Sequence, residues 1–156
     1  MTYLQQSLPA ERRQTIEQNA LGHSITESSL IDQCQQCGDW ESRYRVIMQL
    51  AKQLPPMPSE LCCESNQIHG CESQVWLTIY SQDQRYYFIA TSNARIVKGL
   101  LAALIAAWQG QNGDFIQQFD ANHYFHQLGL SKHLSPSRSN GLAAIVATAK
   151  QHCLKS

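Results

Sequence analysis

The sequence of 156 residues predicts an α+β domain: a small antiparallel β-sheet packed against several α-helices. Two observations carry this. Ser73 to Tyr80 and Arg85 to Ala90 are rich in β-branched and aromatic residues, and the polar Ser81-Gln82-Asp83-Gln84 separates them. That is the pattern of an antiparallel hairpin, here without the usual Asn-Gly turn signal. Next comes Ala94 to Gln109, where Ile96, Val97, Leu100, Leu101, Leu104, Ile105 and Trp108 leave little polar circumference. A helix apolar over most of its surface belongs in the centre of a core.

The other elements follow in order. Residues 1–26 are polar, rich in Gln and Glu and weakly periodic, and read as a loosely attached arm with a short helix after Pro9. Thr26 and Glu27 ahead of Leu30-Ile31 predict a helix running to Cys37, with Gly38 as its stop. Asp39 is an N-cap for a second helix whose apolar positions, Trp40, Tyr44, Ile47, Met48, Leu50 and Ala51, share one face. Leu54-Pro55-Pro56-Met57-Pro58 ends it, because proline cannot continue the hydrogen-bond ladder. A loop from Ser59 to His69 leads to the hairpin, and Ser92 is positioned to cap the long helix. Shorter helices are expected over Asp114 to Phe119 and Asn122 to Gly129. The last begins after Ser135-Pro136, where the missing N–H of proline costs nothing, and reaches about His152.

Composition narrows the function. Lys plus Arg and Asp plus Glu both number 12, for a net charge of zero, which argues against a nucleic-acid partner with its need for a basic excess. The longest apolar run, Leu100 to Trp108, is well short of the ~20 residues that span a bilayer. The chain opens on polar residues with no apolar signal segment, so the expectation is a soluble, cytoplasmic protein with no membrane partner. In that compartment its six cysteines, Cys34, Cys37, Cys62, Cys63, Cys71 and Cys153, are read as reduced thiols.

Gly70-Cys71-Glu72-Ser73-Gln74-Val75-Trp76 holds the most informative of them. A glycine just before the cysteine permits a turn that a side chain would forbid, so the thiol can stand at a loop tip. There it is available to another protein and becomes a nucleophile once ionised. Two further segments accompany it: Ile96-Val97-Lys98-Gly99-Leu100-Leu101-Ala102, and Leu134-Ser135-Pro136-Ser137-Arg138-Ser139-Asn140-Gly141-Leu142.

In this order and spacing the three segments, with Trp40, Glu41, Tyr44 and Gln53-Leu54-Pro55 before them, resemble the SufE/CsdE family of sulfur acceptor proteins for cysteine desulfurases. The resemblance covers Asp39 to Lys150 and implies a SufE-like fold, similar to that of iron–sulfur scaffold proteins, over residues 27–156. It also implies a carrier and desulfurase activator in place of an enzyme. A PLP-dependent cysteine desulfurase would pass sulfur to Cys71 as a transient persulfide. The sulfur would then go to an iron–sulfur assembly scaffold or another sulfur-accepting protein. For this chain itself neither cofactor nor metal is implied. Arg138 matches the family's arginine, either beside the thiolate or against a partner carboxylate. Gly70, Glu72, Ser73 and Gln74 would form the partner surface, and Trp76 is read as core. His69, two residues before the thiol, invites a role as base that spacing alone does not support. Where the family has an acidic residue before the Ile-Val-Lys-Gly helix, this chain has Asn93. Asn93 can keep a hydrogen bond but not a charge.

Two other readings stay open. Cys34-Gln35-Gln36-Cys37 has the two-residue gap of many zinc sites, and Cys62-Cys63 could add ligands for zinc or an iron–sulfur cluster. The same Cys34 and Cys37 could instead serve as a dithiol redox pair.

Overall fold

The computed structural model describes residues 9–131 and 134–153. Three helices come first: α1 (Ala10–Glu17), α2 (Glu27–Gln35) and α3 (Trp40–Leu50). Three single 3₁₀ turns then lead to strands β1 (Val75–Gln82) and β2 (Arg85–Ser92). After them come α4 (Arg95–Trp108), β3 (Gln111–Asn112), α5 (Gly113–Gln118), α6 (Ala121–Gln127) and α7 (Pro136–His152). The sheet has the order β1-β2-β3 and is antiparallel throughout. The α+β architecture is the one expected.

The helix starts obey local chemistry. Thr26 accepts a hydrogen bond from the Ser29 N–H, and the Ser29 hydroxyl accepts in return from the Thr26 N–H, a reciprocal cap that satisfies two otherwise orphaned donors. Asp39 accepts from the Ser42 N–H at 2.8 Å, and Ser135 accepts from the Arg138 N–H with Pro136 as the first helical residue. Ser92 behaves differently from the expectation. The N-cap of α4 is Ala94, which has no side-chain cap; the Ser92 hydroxyl accepts from the Ala94 N–H and donates to the Gln74 carbonyl at 2.7 Å.

The hairpin is tighter than the sequence suggested. Ser81 and Gln82 pair with Tyr86 and Arg85, which leaves a turn of only Asp83 and Gln84. Both have positive φ, 55° and 65°, the sense of twist that matches two right-twisted strands. The short β3 was not anticipated. Its pairing is extended by Gln109, whose buried side chain accepts from the Phe88 N–H at 2.7 Å and donates to the Phe88 carbonyl at 3.2 Å.

Alternation along the strands divides the core. Val75, Leu77, Ile79, Phe88 and Ala90 face α4, which is buried from Gly99 to Trp108. Tyr80 and Ile89 face the other way and are covered by Ile16 of α1 and by Leu61. Residues 9–26 are therefore docked, not loose: Ile16 is buried and Leu21 fully so, bridged to Ile25. Expectation also fails on α3, where Trp40 and Tyr44 are 54% and 40% exposed while Ile47 and Leu50 form the buried face. Close approach of α3 and α4 depends on Gly99, where an added Cβ would lie 2.3 Å from the Ile47 carbonyl oxygen. Among the described residues no helix is long and apolar enough to cross a membrane.

Candidate functional site

The loop before β1 is turned by Gly70, whose φ of +94° lies in the region that disfavours side chains. The turn brings Cys71 onto α7, where its thiol donates to the Gly141 carbonyl at 3.6 Å. Gly141 makes this contact possible: a Cβ there would sit 3.3 Å from Cys71 Sγ. The thiol enters a cavity of about 130 Å³ whose walls come from the starts of α4 and α7, including Ile96, Leu100, Ser137 and Arg138. It is half-buried, not presented at a loop tip as expected. Burial pushes its pKa above the ordinary 9.0 through desolvation. Burial in this position disfavours the thiolate, the form that attacks an electrophile.

Each predicted site residue has a definite place. Glu72 is exposed, and its carboxylate accepts from the Ser137 hydroxyl at 2.9 Å across 65 positions of sequence. Ser73 is half-buried in the cavity wall. Gln74 is clamped: its N–H donates to Asn93 Oδ1 at 3.0 Å, its carbonyl accepts from Ser92, and its side-chain oxygen accepts from Asn93 Nδ2 at 3.4 Å. Asn93 thus keeps the hydrogen bonding expected of it. Arg138 lines the cavity from the first turn of α7 but is not among the causes shifting the thiol. His69 is exposed, with Nε2 2.9 Å from the Glu64 carboxylate. Trp76 is only half-buried, so it is not the core residue expected.

The remaining cysteines do not converge. Cys34 lies in the main core with its pKa pushed up to about 11 by burial, with Cys37 as a further cause, while the Cys37 thiol donates to the Gln33 carbonyl. Cys62 is half-buried, Cys63 exposed and Cys153 buried. Among the described residues no group of three or more His, Cys, Asp or Glu side chains is placed to hold a metal ion. Sequence reasoning assigned no role to Ser137 or Gly141. Their signal was present, since both sit in the segment around Arg138, but the partners are too distant in sequence to be paired by pattern.

The chain belongs to the SufE family: the Fe-S metabolism associated domain matches residues 28–153. It is 38% identical over 135 residues to the sulfur acceptor protein CsdE of Escherichia coli K12, a match covering 83% of this chain and 92% of CsdE. An uncharacterised SufE-like protein of Haemophilus influenzae is 39% identical over 127 residues, covering 80% of this chain and all of that one. Another, from Rhizobium meliloti, is 37% identical over 125 residues, covering 78% and 89%. The solution structure of a hypothetical protein from Thermus thermophilus superposes with a TM-score of 0.69 at 17% identity, covering 81% of this chain and 92% of that chain, which is a likeness of fold.

Proposed function

We propose that this protein is a sulfur acceptor that takes sulfur from a PLP-dependent cysteine desulfurase onto Cys71, stimulates that enzyme, and passes the sulfur to an iron–sulfur assembly scaffold or another sulfur-using protein. The observation that carries the reading is a single half-buried thiol, on a glycine-turned loop, closing a cavity in a member of the SufE family. The name of the Escherichia coli relative, a sulfur acceptor, agrees with it. In the proposed step the Cys71 thiolate attacks the outer sulfur of a donor persulfide. The donor's sulfur–sulfur bond breaks, its inner sulfur leaves as a thiolate, and Cys71 becomes the persulfide. No electrons are gained or lost overall. The proposed carrier unit spans residues 27–156, and the segment before it packs onto that unit through Ile16 and Leu21.

Because the resting thiol is half-buried and desolvation disfavours its thiolate, the proposed donor engages an opened loop. Gly70, Glu72, Ser73 and Gln74 then form part of the contact, with Arg138 at its edge. The test is to titrate the protein into a desulfurase with cysteine and reductant, following sulfide release. Turnover should rise with the wild type and with the Cys37, Cys62 and Cys63 to Ser variant, but not with Cys71→Ser. Stimulation that survives Cys71→Ser would overturn the proposal. On adding desulfurase, amide exchange across residues 66–76 should also accelerate.

A further inference from the structure

We propose that the hydrogen bond between Glu72 and Ser137 is a latch that holds the Cys71 loop closed and so sets the fraction of molecules a sulfur donor can engage. This rests on the reading of Cys71 as the acceptor, although the latch itself can be tested without a donor.

Glu72 directly follows Cys71 in the chain, so any movement of one carries the other. Its carboxylate accepts from the Ser137 hydroxyl at 2.9 Å, a charge-assisted bond of the stronger kind. Ser137 lies in the first turn of α7, which has no acidic residue there, so the Glu72 charge also sits where the helix dipole favours an anion. The Ser135 and Ser137 hydroxyls are 3.3 Å apart, and Ser135 is the cap of the same helix. The latch is thereby seated on rigid backbone. On the other side of Glu72 the Cys71 thiol makes a long bond to the Gly141 carbonyl, 3.6 Å. Further along, Gln74 is fixed by Ser92 and Asn93. The cysteine therefore sits between the Gly70 turn and a clamped strand start, and the Glu72 contact ties this span to α7. Both latch residues are exposed, so removing either leaves the core intact. Glu72 and Ser137 are thus positioning residues that act through Cys71.

The test uses the full chain with Cys37, Cys62 and Cys63 changed to Ser; Cys34 and Cys153, both buried, are kept. Iodoacetamide alkylation of Cys71 is followed by mass at fixed pH. Glu72→Ala and Ser137→Ala should each raise the rate about fivefold, the factor that corresponds to one net hydrogen bond. The double variant should fall well short of the product of the two. Ser137→Thr, which keeps the hydroxyl, should match the parent. Glu72→Gln keeps an acceptor oxygen without the charge and should lie between. Asn140→Ala, an exposed change on the same helix, should have no effect. An unchanged rate in Ser137→Ala, or an equal rise in Asn140→Ala, would overturn the latch. With a desulfurase present, the concentration of Ser137→Ala giving half-maximal stimulation should fall by up to about fivefold at unchanged maximal rate, because apparent affinity scales with the open fraction. If no variant gains sulfur on Cys71, the acceptor reading fails, and alkylation still judges the latch.

Discussion

Gly141→Ala separates the stability of the fold from the closure of its loop. Gly141 is buried inside α7, where alanine favours the helix by about 1 kcal/mol over glycine. The new methyl would lie 3.3 Å from Cys71 Sγ and 3.6 Å from its Cβ, so the loop must retreat by a few tenths of an ångström. That lengthens an already long thiol-to-carbonyl bond of 3.6 Å, whose loss costs no more than ~1 kcal/mol. The two terms act on different equilibria. Helix propensity stabilises the whole domain, while the contact is lost only from the closed loop. Thermal melting should thus be unchanged or raised by up to ~4 °C. Alkylation of Cys71 should instead quicken by about two- to fivefold, the range for losing a weak hydrogen bond. Iodoacetamide labelling with peptide mass mapping, beside a melting curve, reads both. A slower or unchanged labelling rate would refute the claim that Gly141 makes room for the closed thiol.

Gly99→Ala carries the same propensity gain but should destabilise, because its methyl would meet the Ile47 carbonyl oxygen at 2.3 Å and force α3 from α4; overpacking of this kind costs ~1–3 kcal/mol, read as a lower urea midpoint, and a raised midpoint would contradict it. Gln84→Gly should stabilise by ~0.5–1 kcal/mol, since glycine accepts the φ of 65° without a Cβ penalty; an unchanged urea midpoint would count against the two-residue turn. Alkali should weaken the fold in a defined window. Burial raises Cys34 to about 11 from the ordinary 9.0, so the unfolded chain ionises first. The stability this thiol contributes is complete below pH 9 and is lost as pH rises from there through about 11. Denaturant titrations from pH 8 to 11 should show a shallower decline in Cys34→Ala than in wild type, and equal slopes would refute the assignment.

What the sequence reveals and what it hides divide along contact range. Asp39, Thr26 and Ser135-Pro136 mark helix starts because capping is settled within a few residues, and the central helix is visible because nearly all its circumference is apolar. The turn at Asp83-Gln84 is concealed because neither residue is the glycine or asparagine that advertises positive φ. Trp40 and Tyr44 share periodicity with Ile47 but lie at the exposed end of the stripe, and only the packing of α4 against Ile47 and Leu50 decides where burial stops. Residues 9–26 look unattached in sequence because their anchors, Ile16 and Leu21, are isolated apolar residues in a polar stretch. At the site, the cysteine itself is legible from its glycine and the following strand. Its inward direction is not, since that depends on Gly141 and Ser137, some 70 and 65 positions away.

The most direct test is to locate the transferred sulfur. After incubation with a desulfurase and cysteine, and removal of small molecules, the chain should gain ~32 Da for each sulfur bound, reversed by reductant. Proteolytic mapping should place it on the peptide bearing Cys71, and Cys71→Ser should gain nothing. Sulfur found on any other cysteine, or retained at the normal level by Cys71→Ser, would contradict the account.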